Sequence, residues 1–214
     1  MSVLVGKKAP SFCTKAVIDG NEITEDFSLD QYLGKKYVVF FFYPADFTFV
    51  CPTELIAFQN KMSEFEERDT VVVAASTDSA FSHWKWLQTP QNDGGIKGVT
   101  YPLVADHNKT ISMAYDVLAG SYTEDSSNNL VFSGTPEAYR GLFLIDKQGV
   151  VRHQVVNDMS LGRSVEEVIR VIDALQFTEK YGEVCPADWK KGDKGLLATQ
   201  EGIAEYLTLK EEQM

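Results

Sequence analysis

The residue with the clearest chemical potential is Cys51, at the junction of two patterns in FFFYPADFTFVCPTELIAFQNKMSEF, residues 40–65. Residues 38–43 are a continuous apolar, aromatic and β-branched run, which suits a strand buried on both faces. Pro44 ends that run, because proline has no N–H to give to a ladder. From Cys51 onward the period becomes helical, with Cys51, Leu55, Phe58, Met62 and Phe65 on one face. Pro52 is tolerated only in a first turn, so Cys51 must sit at or beside the helix N-terminus. Unpaired backbone N–H groups and the positive end of the helix dipole both favour a thiolate there. Thr48, three residues earlier, can bring a hydroxyl to the same sulfur. The competing reading is an inert cysteine on the apolar stripe. A loop that combines proline, threonine and cysteine fits a shaped polar pocket better.

An activated thiol can serve acyl transfer, phosphate hydrolysis or peroxide reduction. Acyl transfer needs a histidine base within hydrogen-bond reach. A tyrosine-phosphatase loop needs an arginine shortly after its cysteine, whereas Cys51 is followed by PTELIAF. Peroxide reduction asks for a thiolate, donors that hold two oxygens in line, and a proton for the leaving group. An arginine suits the donor role because it never deprotonates. Arg140 and Arg163, both flanking sheet strands, are the candidates, and the sequence does not choose between them.

The remaining thiols divide in the same way. Cys13 lies in an opening strand with nothing nearby to activate it. Cys185 lies in a turn-rich tail, where a second accessible thiol could resolve an oxidised first one. Three cysteines, odd in number and far apart, do not make a disulfide framework. C-x-x-C is absent, and His83, His107 and His153 show no ligand spacing, which argues against zinc.

Elements must position these groups. Residues 12–18 and 22–27 read as a hairpin about Asp19-Gly20-Asn21, and 28–33 as a short turn of helix closed by Gly34. Residues 70–76, TVVVAAS, read as a second buried strand. With the strand and helix before it, this predicts a right-handed βαβ unit with parallel strands. Residues 79–87 read as a helix whose Phe81, Trp84 and Trp86 serve packing rather than a binding platform, unless one of them walls the pocket near Cys51, and 91–98 read as a polar, glycine-rich loop. A strand over 101–105, a short helix over 109–115 and a long Ser/Asn-rich loop over 120–134 follow. Residues 140–146 and 150–157 read as a hairpin. Residues 164–177 form the clearest amphipathic helix, with Ser164 and Glu167 as a capping box. From Thr178 the chain reads as an extended arm, with a last short helix over 200–207. This divides the chain into a domain of residues 1–177 and an arm of 178–214.

At 214 residues the chain is long enough for one sizeable core. The formal net charge of −11 argues against nucleic acid and against anionic membrane surfaces. No run approaches the roughly 20 apolar residues of a membrane span, and the first twenty residues lack a secretory h-region. The expectation is a cytoplasmic protein.

Four segments in order carry a resemblance. The chain is similar to the typical two-cysteine peroxiredoxins, the alkyl hydroperoxide reductase C group, over nearly its full length. Pro44-x-x-x-Thr48-x-x-Cys51 matches that family's active-site motif. AYRGLFLID (138–146) matches its arginine segment, which puts that role on Arg140. GRSVEE (162–167) matches a segment whose arginine, here Arg163, supports the site with Glu54. GEVCPADW (182–189) matches the arm of the resolving cysteine, which puts that role on Cys185.

The resemblance implies an α/β, thioredoxin-like fold, with a central mixed sheet flanked by helices and an extended C-terminal arm. It implies hydroperoxide reduction through a Cys51 sulfenic acid, resolved by Cys185 of the partner subunit as an intersubunit disulfide. The implied electron donor is a thioredoxin-like protein or a flavoprotein disulfide reductase. The implied assembly is a homodimer that builds a ring, commonly a decamer, and no metal or organic cofactor takes part. A holdase chaperone or peroxide-signalling scaffold on the same oligomer is the alternative function.

Three departures from the family pattern stand out. Gly94-Gly95-Ile96-Lys97 replaces the Gly-Gly-Leu-Gly of overoxidation-sensitive members, and Tyr206-Leu207 replaces their Tyr-Phe. Both imply low or intermediate sensitivity to overoxidation. The segment between Tyr115 and Arg140 is longer than usual, and is expected to be a solvated surface loop, the alternative being a place at the dimer–dimer edge that alters ring formation.

Overall fold

Residues 2–211 are described by the structure, a computed structural model, with side chains through Leu209. The chain packs as two units, Met1–Val165 and Glu166–Met214. The sequence boundary at 177/178 falls inside the second. Among the described residues no helix is long and apolar enough to cross a membrane.

The first unit is built on a seven-stranded mixed sheet. Its strands are β1 (Thr14–Ile18), β2 (Glu22–Phe27), β3 (Tyr37–Phe42), β4 (Thr70–Ser76), β5 (Leu103–Ala105), β8 (Arg140–Ile145) and β9 (Val151–Asn157). A separate ribbon pairs β6 (Leu118–Glu124) with β7 (Leu130–Ala138). The sheet order is β2-β1-β5-β4-β3-β8-β9. β3 runs parallel to β4 and β4 to β5, while every other neighbouring pair is antiparallel. The expected βαβ unit is therefore present, as β3, α1 (Cys51–Asn60) and β4.

All six residues of β3 are buried, as a continuous apolar run with both faces covered requires. Strand alternation sends Val38, Phe40 and Phe42 into one cluster with Tyr115 and Phe143. Phe41 turns to the other face and stacks on Phe58 of α1 at 4.4 Å between ring centroids. Each such fully buried ring contributes about 1.5–3 kcal/mol of burial. This packing fixes the strand against the helix that begins on Cys51.

Several expectations change at their edges. The helix after Cys51 breaks at Lys61 (φ −109, ψ 11) and resumes as α2 (Met62–Glu66). Phe65 still reaches the core and stacks on Phe58 at 6.0 Å, so the predicted apolar face survives the interruption. β1 begins at Thr14, which leaves Cys13 exposed just before it. In α3 (Ala80–Gln88) only Trp86 of the three aromatics is buried, and Phe81 and Trp84 face solvent. The glycine-rich loop contains a 3-10 turn, Gln91–Asp93, and tucks Ile96 fully inside. The short helix expected over 109–115 is α4 (Thr110–Ala114).

The largest correction concerns residues 120–134, which form most of the β6–β7 ribbon rather than a loop. Ser, Asn and Asp density marks only its turn, where the Asp125 carboxylate accepts from the backbone N–H of Ser127 and Asn129. The ribbon pairs through Tyr122–Phe132 ring contact at 5.0 Å, and most of its residues are exposed. Because its tip lies outside the core cluster, replacing residues 122–132 by a two-residue turn should change unfolding free energy by no more than about 0.5–1 kcal/mol. Urea denaturation reads this, and a larger loss would show that the ribbon supports the core.

The second unit holds most of α5 (Val165–Tyr181) and all of α6 (Gln200–Glu211). α5 starts directly after Ser164, where the capping box was expected, and runs four residues past Phe177. Val168, Ile169 and Ile172 are buried and Leu175 is half-buried, as its period predicts. Between α5 and α6 the chain is irregular, apart from a bridge between Val184 and Leu196.

Candidate active site

Cys51 occupies the first position of α1, after Val50 as N-cap, with Pro52 in the first turn. It is fully buried. The helix places Cys51, Glu54, Leu55 and Phe58 on its inner face, so the thiol and the Glu54 carboxylate sit one turn apart.

Two arginines converge on that turn from elsewhere in the chain. Arg140, the first residue of β8, lies next to α1 because β8 pairs with β3. Its Nη1 donates to Cys51 Sγ at 3.5 Å and to Glu54 Oε2 at 2.6 Å. Its Nε donates to the Met159 carbonyl at 2.7 Å, which fixes the plane of the fork. Arg163 precedes α5, and its backbone N–H and Nε both donate to Glu54 Oε1 at 2.8 Å. Arg163 Nη2 reaches Glu54 Oε2 at 2.9 Å, and Nη1 reaches the Gly141 carbonyl at 2.7 Å. The guanidinium also lies over the Phe41 ring, 4.9 Å from its centroid.

The Glu54 carboxylate thus receives four N–H donors and holds both forks in register. Burial alone would push its pKa up. The hydrogen bonds and charge of Arg163, joined by the charge of Arg140, outweigh that and hold it below the usual carboxylate value. What remains is a buried sulfur facing a cation that cannot lose its proton.

Thr48 lies half-buried in the loop before Cys51, where its hydroxyl donates to the Ala45 carbonyl at 2.9 Å. Pro44 is buried where that loop leaves the sheet. Between the two arginine candidates, the geometry separates the roles. Arg140 touches the sulfur, and Arg163 touches Glu54.

The AhpC/TSA family model matches residues 5–154, most of the chain. The chain belongs to the AhpC/TSA family. A second model, the C-terminal domain of 1-Cys peroxiredoxin, matches residues 174–209. The chain is 49% identical over 205 residues to alkyl hydroperoxide reductase C of Helicobacter pylori, covering 96% of each. It is 48% identical over 208 residues to thioredoxin peroxidase of Echinococcus granulosus, covering 97% of this chain and 100% of that protein. The crystal structure of reduced Plasmodium vivax 2-Cys peroxiredoxin superposes with a TM-score of 0.86 at 42% identity, covering 97% of this chain and 100% of that one. The mixed sheet with flanking helices is thus the thioredoxin-like fold of this AhpC/TSA family.

In this AhpC/TSA chain Cys185 belongs to the second unit, half-buried rather than freely accessible. Its thiol donates to the Ala174 carbonyl at 3.6 Å. Burial pushes its pKa up, Arg170 opposes this and Glu183 adds to it, for a net rise. Among the described residues no group of three or more His, Cys, Asp and Glu side chains is arranged to hold a metal ion.

Sequence reasoning missed a second polar constellation in the first unit. Asp46, in the loop before Cys51, accepts from the Tyr43 hydroxyl at 2.8 Å and pairs with His83 Nδ1 of α3 at 2.9 Å. All three side chains are buried. A histidine on an amphipathic helix reads as an ordinary surface or satisfied residue. Only the Asp46 three positions after Tyr43, in an otherwise apolar stretch, signalled a partner.

Proposed function

We propose that this AhpC/TSA member is a thiol-dependent peroxidase that reduces hydrogen peroxide and organic hydroperoxides at Cys51. The observation that carries the reading is the Arg140 guanidinium hydrogen-bonded to a thiol at a helix N-terminus, in a chain of this family. The Cys51 thiolate attacks the distal peroxide oxygen, the O–O bond breaks, and the alkoxide or hydroxide leaves with a proton as alcohol or water. Cys51 becomes a sulfenic acid. Arg140 supplies N–H donors and fixed positive charge to sulfur and oxygens as charge shifts between them. Thr48 contributes a hydroxyl that donates or accepts, Pro44 shields the loop, and Glu54 with Arg163 holds Arg140 in place.

Cys185 of the partner subunit then attacks the sulfenic sulfur, which expels water and leaves an intersubunit disulfide. A dithiol donor, a thioredoxin-like protein or a flavoprotein disulfide reductase, returns two electrons and two protons to restore both thiols. Homodimers that assemble into a ring of ten, in the cytoplasm, complete the reading. The relatives' names describe peroxidases, which favours turnover over the holdase alternative.

Non-reducing electrophoresis after one equivalent of hydrogen peroxide tests the cycle. Wild type should run as a disulfide dimer and Cys185→Ser as a monomer. Monomer in both, with thiol still consumed, would remove Cys185 from the mechanism.

A further inference from the structure

The segment between β3 and α1, residues 43–50, carries Thr48 and delivers the chain to Cys51, and it has no regular structure of its own. Its path turns at Phe47, which holds φ +55, a left-handed conformation seldom adopted by a side chain of this size. Such a conformation persists only where the surroundings impose it. Asp46, the residue just before, is where they do so. Its backbone N–H donates to Asp78 Oδ2 at 2.9 Å. Its carboxylate takes the Tyr43 hydroxyl on Oδ1 and His83 Nδ1 on Oδ2. Asp78 Oδ2 is held in turn by the Ser76 hydroxyl at 2.7 Å.

We propose that the buried His83–Asp46 pair, with the Tyr43 hydroxyl, is a positioning device that fixes the turn at Phe47 and so sets Thr48 and Cys51 for peroxide attack. It rests on the reading of Cys51 as the reacting thiol.

The protonation pattern follows from the partners. His83 Nε2 faces the Val104 carbonyl of β5 at 3.2 Å, and a carbonyl only accepts, so that nitrogen carries a proton. Nδ1 faces both oxygens of the Asp46 carboxylate at 2.9 and 3.1 Å and the Tyr43 hydroxyl at 3.3 Å, and only the imidazolium can donate to Asp46 and Val104 together. The titratable groups facing it are Asp46 and Asp78 from the loops and Tyr43 just after β3. Burial works against the charged ring, yet attraction to Asp46 and then Asp78, with the Val104 bond, raises its pKa. Burial and the same two carboxylates push the Tyr43 phenol well above its ordinary value, so it stays a neutral donor. Because the histidine's folded value is raised, the charged ring persists below that raised value and is lost as pH climbs through it. A neutral ring has one N–H for two acceptors, Asp46 and Val104, and must release one of them.

The test compares two reactions of the same sulfur, in a Cys13→Ala, Cys185→Ser background in which Cys51 is the only thiol. Peroxide attack needs the geometry of Thr48 and Arg140, whereas alkylation by iodoacetamide needs only that the thiolate form and be reached. His83→Gln should slow peroxide attack by about 10–100-fold, the cost of a displacement near 1 Å, and leave alkylation within about twofold. The parent's peroxide rate should carry a reversible falling limb as pH climbs through the raised His83 value, and that limb should vanish in the variant. Asp46→Asn, nearly isosteric, should give the same split and serves if His83→Gln does not fold. Equal losses in both reactions, or a parent-like peroxide rate and pH profile, would overturn the proposal. Peroxide consumption by Cys51→Ser would instead sink the assignment of the reacting thiol, which keeps the two failures apart.

Discussion

Arg140→Ala should slow the reaction of hydrogen peroxide with Cys51 by about 10²–10³-fold, the cost of removing a donor aimed at developing charge in a buried site. The side chain does two things at once, and alanine deletes both. Nη1 bridges the sulfur and Glu54, while Nε is tied to the Met159 carbonyl. The guanidinium is therefore held rigid before any peroxide arrives, and no reorganisation is needed when charge moves from sulfur to oxygen. Arg140→Lys keeps the charge but has one donor head in place of a planar fork, so it cannot hold Cys51, Glu54 and Met159 together. It should fall between wild type and alanine. Stopped-flow oxidation of the reduced protein reads both, and a wild-type rate in Arg140→Ala would show that another group stabilises the transition state.

The second large effect is on stability. Glu54→Ala should lower unfolding free energy by about 3–5 kcal/mol, because it leaves two buried guanidinium groups facing a void. Glu54→Gln preserves the shape but turns an N–H toward arginine donors, so it should lose much of the same stability. The pH dependence has a definite sign. Glu54's carboxyl is depressed in the folded state, where the bonds from Arg163 and the charge of Arg140 outweigh burial. Its contribution is complete above its unfolded value, roughly pH 4.3, and is lost as pH falls through the lower folded value. Urea titrations at neutral and acidic pH should show wild type weakening toward acid, with Glu54→Gln missing that component. A Glu54→Ala protein as stable as wild type would mean that the arginines find other partners.

Much of this was legible in the sequence because local pattern and tertiary role coincide. The apolar run of β3 is short, β-branched and aromatic and is closed by Pro44, which together favour a strand covered on both faces. Pro52 can only sit in a first turn, so Cys51 had to open the helix. The choice between Arg140 and Arg163 was not legible from the residues alone, because it depends on which strand β8 pairs with, a non-local fact. The ribbon over 118–138 was hidden by a different cause. Its polar residues are those of a turn, but β-ribbons whose faces are both exposed carry no alternating apolar signal for the eye to find. The inward Trp86 could not be told from the outward Phe81 and Trp84, since all three are aromatic and only packing separates them. His83 failed for a similar reason, because its meaning comes from a carboxylate 37 positions earlier.

The partners around the thiol are widely spaced along the chain. Arg140 lies 89 positions after Cys51, and Arg163 lies 109 after Glu54. A ribosome adding about 5–20 residues per second needs roughly 5–20 s to travel from the helix to the last guanidinium. During that interval the emerging segment carries its cysteine without the guanidinium groups that meet it and Glu54 in the folded chain. Under the proposed mechanism, peroxide reactivity then arrives late in biosynthesis, only after the distal strand and loop have docked. A nascent copy therefore presents this thiol before the Arg140 hydrogen bond can form.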